Sequence, residues 1–284
     1  MRKKILAFGD MHSGSFYGLL PPDFIDVRGN PHGQAPGQKY LWDCWTEMLG
    51  SIPPGSIDMV AVVGDTIDGK QPKSNGEPLT LHRLEDQVDA ARVVLEGVRR
   101  RFPTAEWVFV EGTRYHETAD VLRPLVKEFS RWPLEQTQRF PVGEAWVQLH
   151  HEVGGGMYKS TPLEREIVRD LLAAGRHKWQ DHHVLVRAHR HCWGGWFEGK
   201  RVAISLPCWQ LQSEHATRRS PAGYVADIGT VILTVDDSLL RQGMCPVSFK
   251  EYLFPHPQSN ASSATARSLG EASGWTERCR RLSA

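Results

Sequence analysis

Short apolar runs rich in β-branched residues recur along the first two-thirds of the chain: Ile5 to Phe8, Met59 to Val63, Trp107 to Val110, Trp146 to Leu149 and Val184 to Val186. Runs of this length with little alternation predict strands buried on both faces. Between them lie stretches with helical spacing. The clearest covers Thr80 to Phe102, where Leu81, Leu84, Val88, Ala91, Leu95 and Val98 recur at steps of 3, 4, 3, 4 and 3 while charged residues fill the other face. That stripe predicts an amphipathic helix lying on a sheet. Weaker helical patterns cover Gln38 to Leu49, Thr118 to Arg131 and Pro162 to Ala174. The alternation predicts an α/β fold.

The rhythm changes after residue 200. Val202 to Leu206, Thr230 to Val235 and Val247 to Phe254 follow one another with little room for helices, which predicts a second, more antiparallel sheet. Residues 13 to 38 are rich in Gly, Pro and Asp and predict a long loop, a common seat of function. Residues 1 to 255 are read as one domain, and residues 256 to 284, poor in large apolar residues, as a flexible tail.

Composition narrows the class. With 40% hydrophobic residues, 10 Trp and 10 Phe in 284 residues, the chain has the material for a sizeable core and is not of disordered composition. Lys and Arg total 34 against 33 Asp and Glu, so no overall charge field points to a polyanion. Five scattered cysteines with no CxxC spacing argue against a disulfide framework or a thiolate zinc site. The apolar stretch after the basic start is too short for an export signal, and no run spans a membrane. The expectation is a cytoplasmic protein with no membrane partner and an oligomeric state that the sequence leaves open.

The chemistry lies where the strands end. The five early runs lead directly into Asp10 and His12, Asp65 and Asp68, Gly112 to His116, His150 and His151, and His189 and His191. In an open α/β sheet the carboxyl ends of neighbouring strands converge on one crevice, so these residues are expected to meet. Imidazole and carboxylate together suit borderline divalent ions such as Mn, Fe, Zn or Ni. A pair of such ions roughly 3.5 to 4 Å apart activates water and stabilises an in-line displacement at phosphorus.

In order along the chain stand Asp10-Met11-His12, Gly64-Asp65-Thr66-Ile67-Asp68, Gly112-Thr113-Arg114-Tyr115-His116-Glu117, His150-His151 and Ala188-His189-Arg190-His191. This series resembles the motifs of the calcineurin-like metallophosphoesterases over roughly residues 3 to 235. It departs from them at Thr113, where the family has Asn, at the two residues inserted before His116, and at Ala188 in place of Gly. The resemblance implies a four-layer αββα sandwich of two mixed sheets flanked by helices. It also implies two divalent ions, Mn first among them. Asp10, His12 and His191 would hold one, Asp65 would bridge, and His189 with His150 or His151 would hold the second. Of the last pair His150 is the first choice, and Thr113 takes the family's Asn position. The implied activity is phosphoester hydrolysis through a metal-bridging hydroxide, with His116 protonating the leaving oxygen.

The substrate expectation is a phosphodiester, nucleic-acid ends or nucleotides, with Arg114 and Arg190 as phosphate contacts. A phosphomonoesterase or a non-catalytic scaffold on the same fold are the alternatives. Each residue also has a plainer role open to it. Arg114 can pair with Glu117, Asp68 can support a ligand or start a helix, and Trp193, Trp196 and Trp209 can be core rather than base-stacking platforms.

Overall fold

The computed structural model describes residues 1–155, 160–177, 180–212 and 225–257. In chain order the first elements are β1 (Arg2–Phe8), a small hairpin of β2 (Phe24–Ile25) and β3 (Pro31–His32), α1 (Pro36–Ser51), β4 (Met59–Val63), α2 (Leu84–Arg101), β5 (Glu106–Val110) and α3 (Ala119–Phe129). Next come β6 (Thr137–Val142), β7 (Ala145–His150), α4 (Thr161–His177), β8 (Val184–Arg187), β9 (Gly194–Glu198), β10 (Arg201–Ser205), β11 (Ile228–Asp236) and β12 (Val247–Phe254).

The strands form two five-stranded mixed sheets, ordered β12-β11-β1-β4-β5 and β6-β7-β8-β10-β9. In the first, β1, β4 and β5 run parallel, with Ile5 beside Met59 and Met59 beside Glu106. In the second, β7, β8 and β10 run parallel between antiparallel edge strands β6 and β9.

Alternation along each strand builds the layers. Ile5, Ala7, Ala61, Val63 and Val108 of the first sheet meet Phe140, Val147, Leu149, Val186 and Ile204 of the second in one dry core. The opposite face of the first sheet, Leu6, Phe8, Val60, Val62 and Phe109, packs on Leu41 and Trp45 of α1, Val88 and Leu95 of α2, and Leu125 of α3. The outer face of the second sheet meets α4 through Leu185, Ala203, Leu163 and Ile167. Helix, sheet, sheet and helix thus stack as the four-layer αββα sandwich expected above. Every residue of β4 is buried because both of its faces are covered, which is why its sequence reads as an unbroken apolar run.

Helix chemistry agrees with these limits. Pro36 opens α1, where its missing N–H costs nothing, and Gln38 reaches back to accept from the Ala35 N–H at 2.9 Å. Glu85 and Asp86 in the first turn of α2 and Arg99 to Arg101 in its last complement the helix dipole.

One expectation fails. The strands after residue 200 do not make a sheet of their own. Strand β10 joins the second sheet between β8 and β9, whereas β11 returns to lie antiparallel against β1, with Leu6 opposite Ile232, and β12 follows it. Strand spacing in sequence does not report which edge a strand joins, and β1 offered a free edge. The tail expectation concerns residues that, from 258 onward, lie outside those described. Just before them, the Tyr40 hydroxyl donates to the Pro255 carbonyl and the Gln212 N–H donates to His256 Nε2. Among the described residues no helix is long and apolar enough to cross a membrane.

Candidate metal centre

Five parallel strands deliver the site: β1, β4 and β5 of one sheet, and β7 and β8 of the other, all at their carboxyl ends. The loops after β1 and β4 are zipped together, Asp10 N–H donating to Gly64 O at 3.0 Å, His12 N–H to Asp65 O at 3.0 Å and Ser13 N–H to Thr66 O at 3.1 Å. The backbone must turn sharply to bring the side chains inward. Asp10, His12, Asp65, His189 and His191 all have left-handed φ angles between 44° and 67°, and they are five of the eight such non-glycine residues among those described. That conformation is costly for an L side chain, so backbone strain is concentrated in this one part of the fold. Gly64 shows how tight the crevice is: its φ is 74°, and a Cβ there would strike the His151 ring.

Three groups of candidate ligands result. Asp10, His12 and His191 form one, and Asp65, His151 and His189 a second. The third, His12, Asp68 and His116, shares His12 with the first. Carboxylates tie the first two together. Asp10 Oδ1 lies 3.2 Å from His191 Nε2, and 3.8 Å from both His12 Nε2 and His151 Nε2. Asp65 Oδ2 lies 3.1 Å from His151 Nε2 and 4.0 Å from His12 Nε2. The other oxygen of each carboxylate is committed to backbone: His189 N–H donates to Asp10 Oδ2 at 3.0 Å, and Thr113 N–H donates to Asp65 Oδ1 at 2.7 Å.

What these groups lack is informative. Asp10 Oδ1, His12 Nε2 and His151 Nε2 are buried and, among the described residues, make no well-aligned hydrogen bond, their neighbours across the crevice being only the carboxylates and imidazoles just named. A buried polar atom left unpaired costs about 1–3 kcal/mol, and more when charged. Three of them facing one another from carboxylate and imidazole make a donor set suited to a divalent cation. The electrostatics agree. Burial opposes ionisation of Asp10, but the imidazoles of His191 and His151 more than offset it and hold this carboxyl well below its usual range. Burial likewise lowers the affinity of His12 and His151 for a proton, yet Asp10 and Asp68 raise His12 to about 10, and Asp65 and Asp10 raise His151 to about 9. The pocket is built to hold positive charge.

Supporting contacts orient the ligands. Asp68 Oδ1 takes His12 Nδ1 at 2.8 Å and stands 3.3 Å from His116 Nδ1. His151 Nδ1 donates to Val63 O at 2.8 Å. Such partners fix the tautomer and aim the other nitrogen.

Of the residues singled out in the sequence, Asp10, His12, Asp65, His189 and His191 converge here, and His116 borders the cluster with its ring 4.5 Å from that of His12. His150 does not. Its Nδ1 meets Gln136 O at 2.7 Å and Thr137 Oγ1 at 3.0 Å on the outer face of the second sheet. His151 takes the inward place, because it continues the face of Val147 and Leu149 toward the core between the sheets. Thr113 is a partner of Asp65, its hydroxyl donating to Oδ1 at 3.1 Å. Arg114 is exposed, and Arg190 is half-buried on the turn between His189 and His191. Trp209 is buried against Trp45 in the core, and Trp193 packs on Phe249.

Three further residues shape the site: Gln87 and Gln71, to which the sequence assigned no role, and Glu117, expected only as a partner for Arg114. Glu117 is buried, accepts from the N–H groups of Thr66 and Gly112, and is raised to about 7 by burial and then by the nearby Asp65. Gln87 of α2 accepts from Asp68 N–H at 3.1 Å and Gly69 N–H at 2.9 Å. Gln71 Nε2 lies 3.2 Å from His116 Nδ1. A polar Gln87 beside Val88 on the packed face of α2 was the available signal for one of them.

No family model matches the chain, and no curated protein matches it. Solved structures do. A predicted phosphoesterase from Streptococcus pneumoniae TIGR4 aligns with 12% identity over 90% of this chain and 94% of that one, with a TM-score of 0.39. Vps29 from Entamoeba histolytica, complexed with zinc, aligns with 16% identity over 88% of this chain and 99% of that one, at 0.41. YfcE, a phosphoesterase from E. coli, aligns with 11% identity over 82% of this chain and 92% of that one, at 0.39.

Proposed function

We propose that this chain is a phosphoester hydrolase working with two divalent metal ions, and that its substrates are phosphodiesters of nucleotides or nucleic-acid ends. The observation that carries the reading is the set of buried Asp10 Oδ1, His12 Nε2 and His151 Nε2 atoms, with no well-aligned hydrogen bond among the described residues and both nitrogens 3.8 Å from Asp10 Oδ1, at the junction of two ligand groups. Asp10, His12 and His191 would hold one ion, and Asp65, His151 and His189 the other. Bound there, divalent ions supply Lewis acidity to a phosphoryl group and to the attacking water.

The chain's own residues supply the rest. Asp68 holds His12 in place and, through its carbonyl at 3.0 Å, engages His116 Nδ1. That leaves His116 Nε2 to carry a proton to the departing oxygen, a task suited to an imidazole near neutral pH. His116 is partly exposed, which lets a substrate reach it. Arg114, exposed on the same loop, and Arg190, between two ligands, would meet non-bridging phosphate oxygens, for which a guanidinium is the suited donor.

Elemental analysis combined with rates on bis-p-nitrophenyl phosphate and p-nitrophenyl phosphate tests the reading. The expected result is bound transition metal, hydrolysis of the diester in preference to the monoester, loss on chelation and recovery with Mn. Preference for the monoester would make the chain a phosphomonoesterase. A protein that stays inert after metal is supplied would be a scaffold on this fold.

A further inference from the structure

The motif that carries His116 is two residues longer than the family pattern, and the extra residues are Arg114 and Tyr115. Tyr115 is half-buried, its ring edge-on to that of His116, with 5.1 Å between centroids and 88° between planes. The ammonium of Lys73 lies over the Tyr115 ring, 5.3 Å from its centroid. Tyr115 thus links a cation to the imidazole that would protonate the leaving oxygen.

The segment that brings Lys73 there is anchored at the same place. At Gly69 the chain passes so close to His116 that a Cβ would strike the His116 carbonyl. Gln71 Nε2 donates to Asp68 O at 3.0 Å and lies 3.2 Å from His116 Nδ1. A single helical turn, Pro72–Ser74, then runs between Gln71 and Asn75, both left-handed with φ of 49° and 50°. The N–H groups of Ser74 and Gly76 both donate to Gln71 O at 3.1 Å, which closes the turn. Lys70, Lys73 and Arg114 are exposed, and among the described residues none of them is in an ion pair. Glu117, the carboxylate nearest Arg114 in sequence, turns inward to the Thr66 and Gly112 N–H groups, and Glu77 is the one carboxylate between Gly69 and Thr80. Unneutralised positive charge therefore stands beside an aromatic ring, next to His116, in a chain whose net charge is only +1.

A ring beside uncommitted cations is the combination that takes up a nucleobase and its backbone phosphate. An exposed ring holds a cation weakly and a phosphate holds it more strongly, so a phosphate draws Lys73 off Tyr115 and leaves the ring face free to stack. We propose that Tyr115, Lys73 and Lys70 form the leaving-group side of the site, and that the leaving group is a nucleoside carrying a further phosphate, as in a nucleic-acid strand or a dinucleotide. This rests on the hydrolase reading above. The base stacks on Tyr115, and the further phosphate pairs with Lys73 and Lys70. The oxygen of water bonds to phosphorus as the bond to the nucleoside oxygen breaks. That oxygen keeps the electron pair and takes a proton from His116 Nε2, while a proton of the water passes to solvent.

A methyl diester of thymidine 5′-phosphate, with and without a 3′-phosphate, tests this on the full, metal-loaded chain. Each probe can expel either methanol or the nucleoside, so the product ratio reports which alcohol sits on the His116 side. The wild type is expected to expel the nucleoside, leaving methyl phosphate, and to favour the probe with the 3′-phosphate about tenfold in kcat/KM. Tyr115→Ala should shift the ratio about tenfold toward methanol, whereas Tyr115→Phe, which keeps the ring, should not. Lys73→Gln should erase the preference for the 3′-phosphate, with metal content at the wild-type level. Calorimetry reads the same subsite without turnover. Thymidine 3′,5′-bisphosphate should bind about tenfold or more tightly than inorganic phosphate, an advantage that Tyr115→Ala and Lys73→Gln each reduce. A protein that hydrolyses no diester yet keeps this advantage would sink the hydrolase reading while retaining the nucleotide subsite. The proposal is overturned by expulsion of methanol in the wild type, by a product ratio that Tyr115→Ala does not move, or by bisphosphate affinities that are the same in the wild type and both variants.

Discussion

His151 donates from Nδ1 to the carbonyl oxygen of Val63 at 2.8 Å. One backbone bond from the neighbouring sheet therefore fixes this ring, and its Nε2 is aimed at Asp65 Oδ2, 3.1 Å away. His151→Ala should accordingly empty one metal position. Loss of a mere supporting partner lowers metal affinity about 10- to 100-fold, so loss of a ligand should exceed that. His150→Ala should keep the wild-type metal content, because His150 faces Gln136 and Thr137 on the other side of the strand. Elemental analysis of the two purified variants decides, and equal retention in both would remove His151 from the ligand set.

The same geometry sets a pH dependence. In the metal-free fold, burial disfavours the charged forms of His12 and His151, but the surrounding carboxylates raise the two to about 10 and about 9. Both rings therefore hold a proton at pH 7 that a metal ion must displace. Affinity should rise with pH up to about 9 to 10 and fall as pH drops below that window. Titrating metal into the metal-free protein in buffers of different ionisation enthalpy should show proton release at pH 7. A heat independent of the buffer would contradict the assignment.

Gln87 offers a test at a distance from the ligands. Its side chain accepts from Asp68 and Gly69 N–H and donates to Gly69 O at 2.9 Å and Leu81 O at 2.8 Å. Gln87→Ala would strand those buried groups and loosen Asp68, on which His12 leans. The expected result is a 10- to 100-fold weaker metal affinity with every ligand intact, read by competition with a chelator. Unchanged affinity would show that Asp68 is held well enough without it.

Much of this arrangement was legible in the sequence, for reasons that differ from residue to residue. The strands β4 and β12 were predicted at the limits observed, Met59–Val63 and Val247–Phe254: the dense apolar run of β4 reports its full burial, whereas β12 is mostly half-buried and was marked by its aromatic and β-branched content. The stripe on α2 was visible because one face of that helix packs on a sheet. Strand β6 was not, since Thr137–Val142 includes Pro141 and a half-exposed pattern that suits only an edge. Sheet membership of β11 depends on which edge β1 leaves open, a relation between residues more than 220 apart. The choice of His151 over His150 was within reach: carrying the alternation of Val147 and Leu149 two residues further points to His151. Glu117 stood inside a motif, but only its buried contact with Thr66 and Gly112 gives it a role.

His116 is the residue whose role separates catalysis from metal binding most cleanly. Its motif is two residues longer than the family pattern, yet the ring reaches the cluster: Nδ1 is 3.0 Å from Asp68 O, and the ring lies across that of His12. If His116 delivers the proton, His116→Ala should retain the metal and slow esters of alkoxide leaving groups about 10²- to 10⁴-fold. Esters of p-nitrophenol should slow much less, because that leaving group departs without a proton. Parallel rates on a nucleoside phosphodiester and on bis-p-nitrophenyl phosphate, with metal content measured on the same preparations, give the contrast. Equal losses on both with metal gone would make His116 a ligand through the group it forms with His12 and Asp68. Unchanged rates on both would pass the proton to another residue.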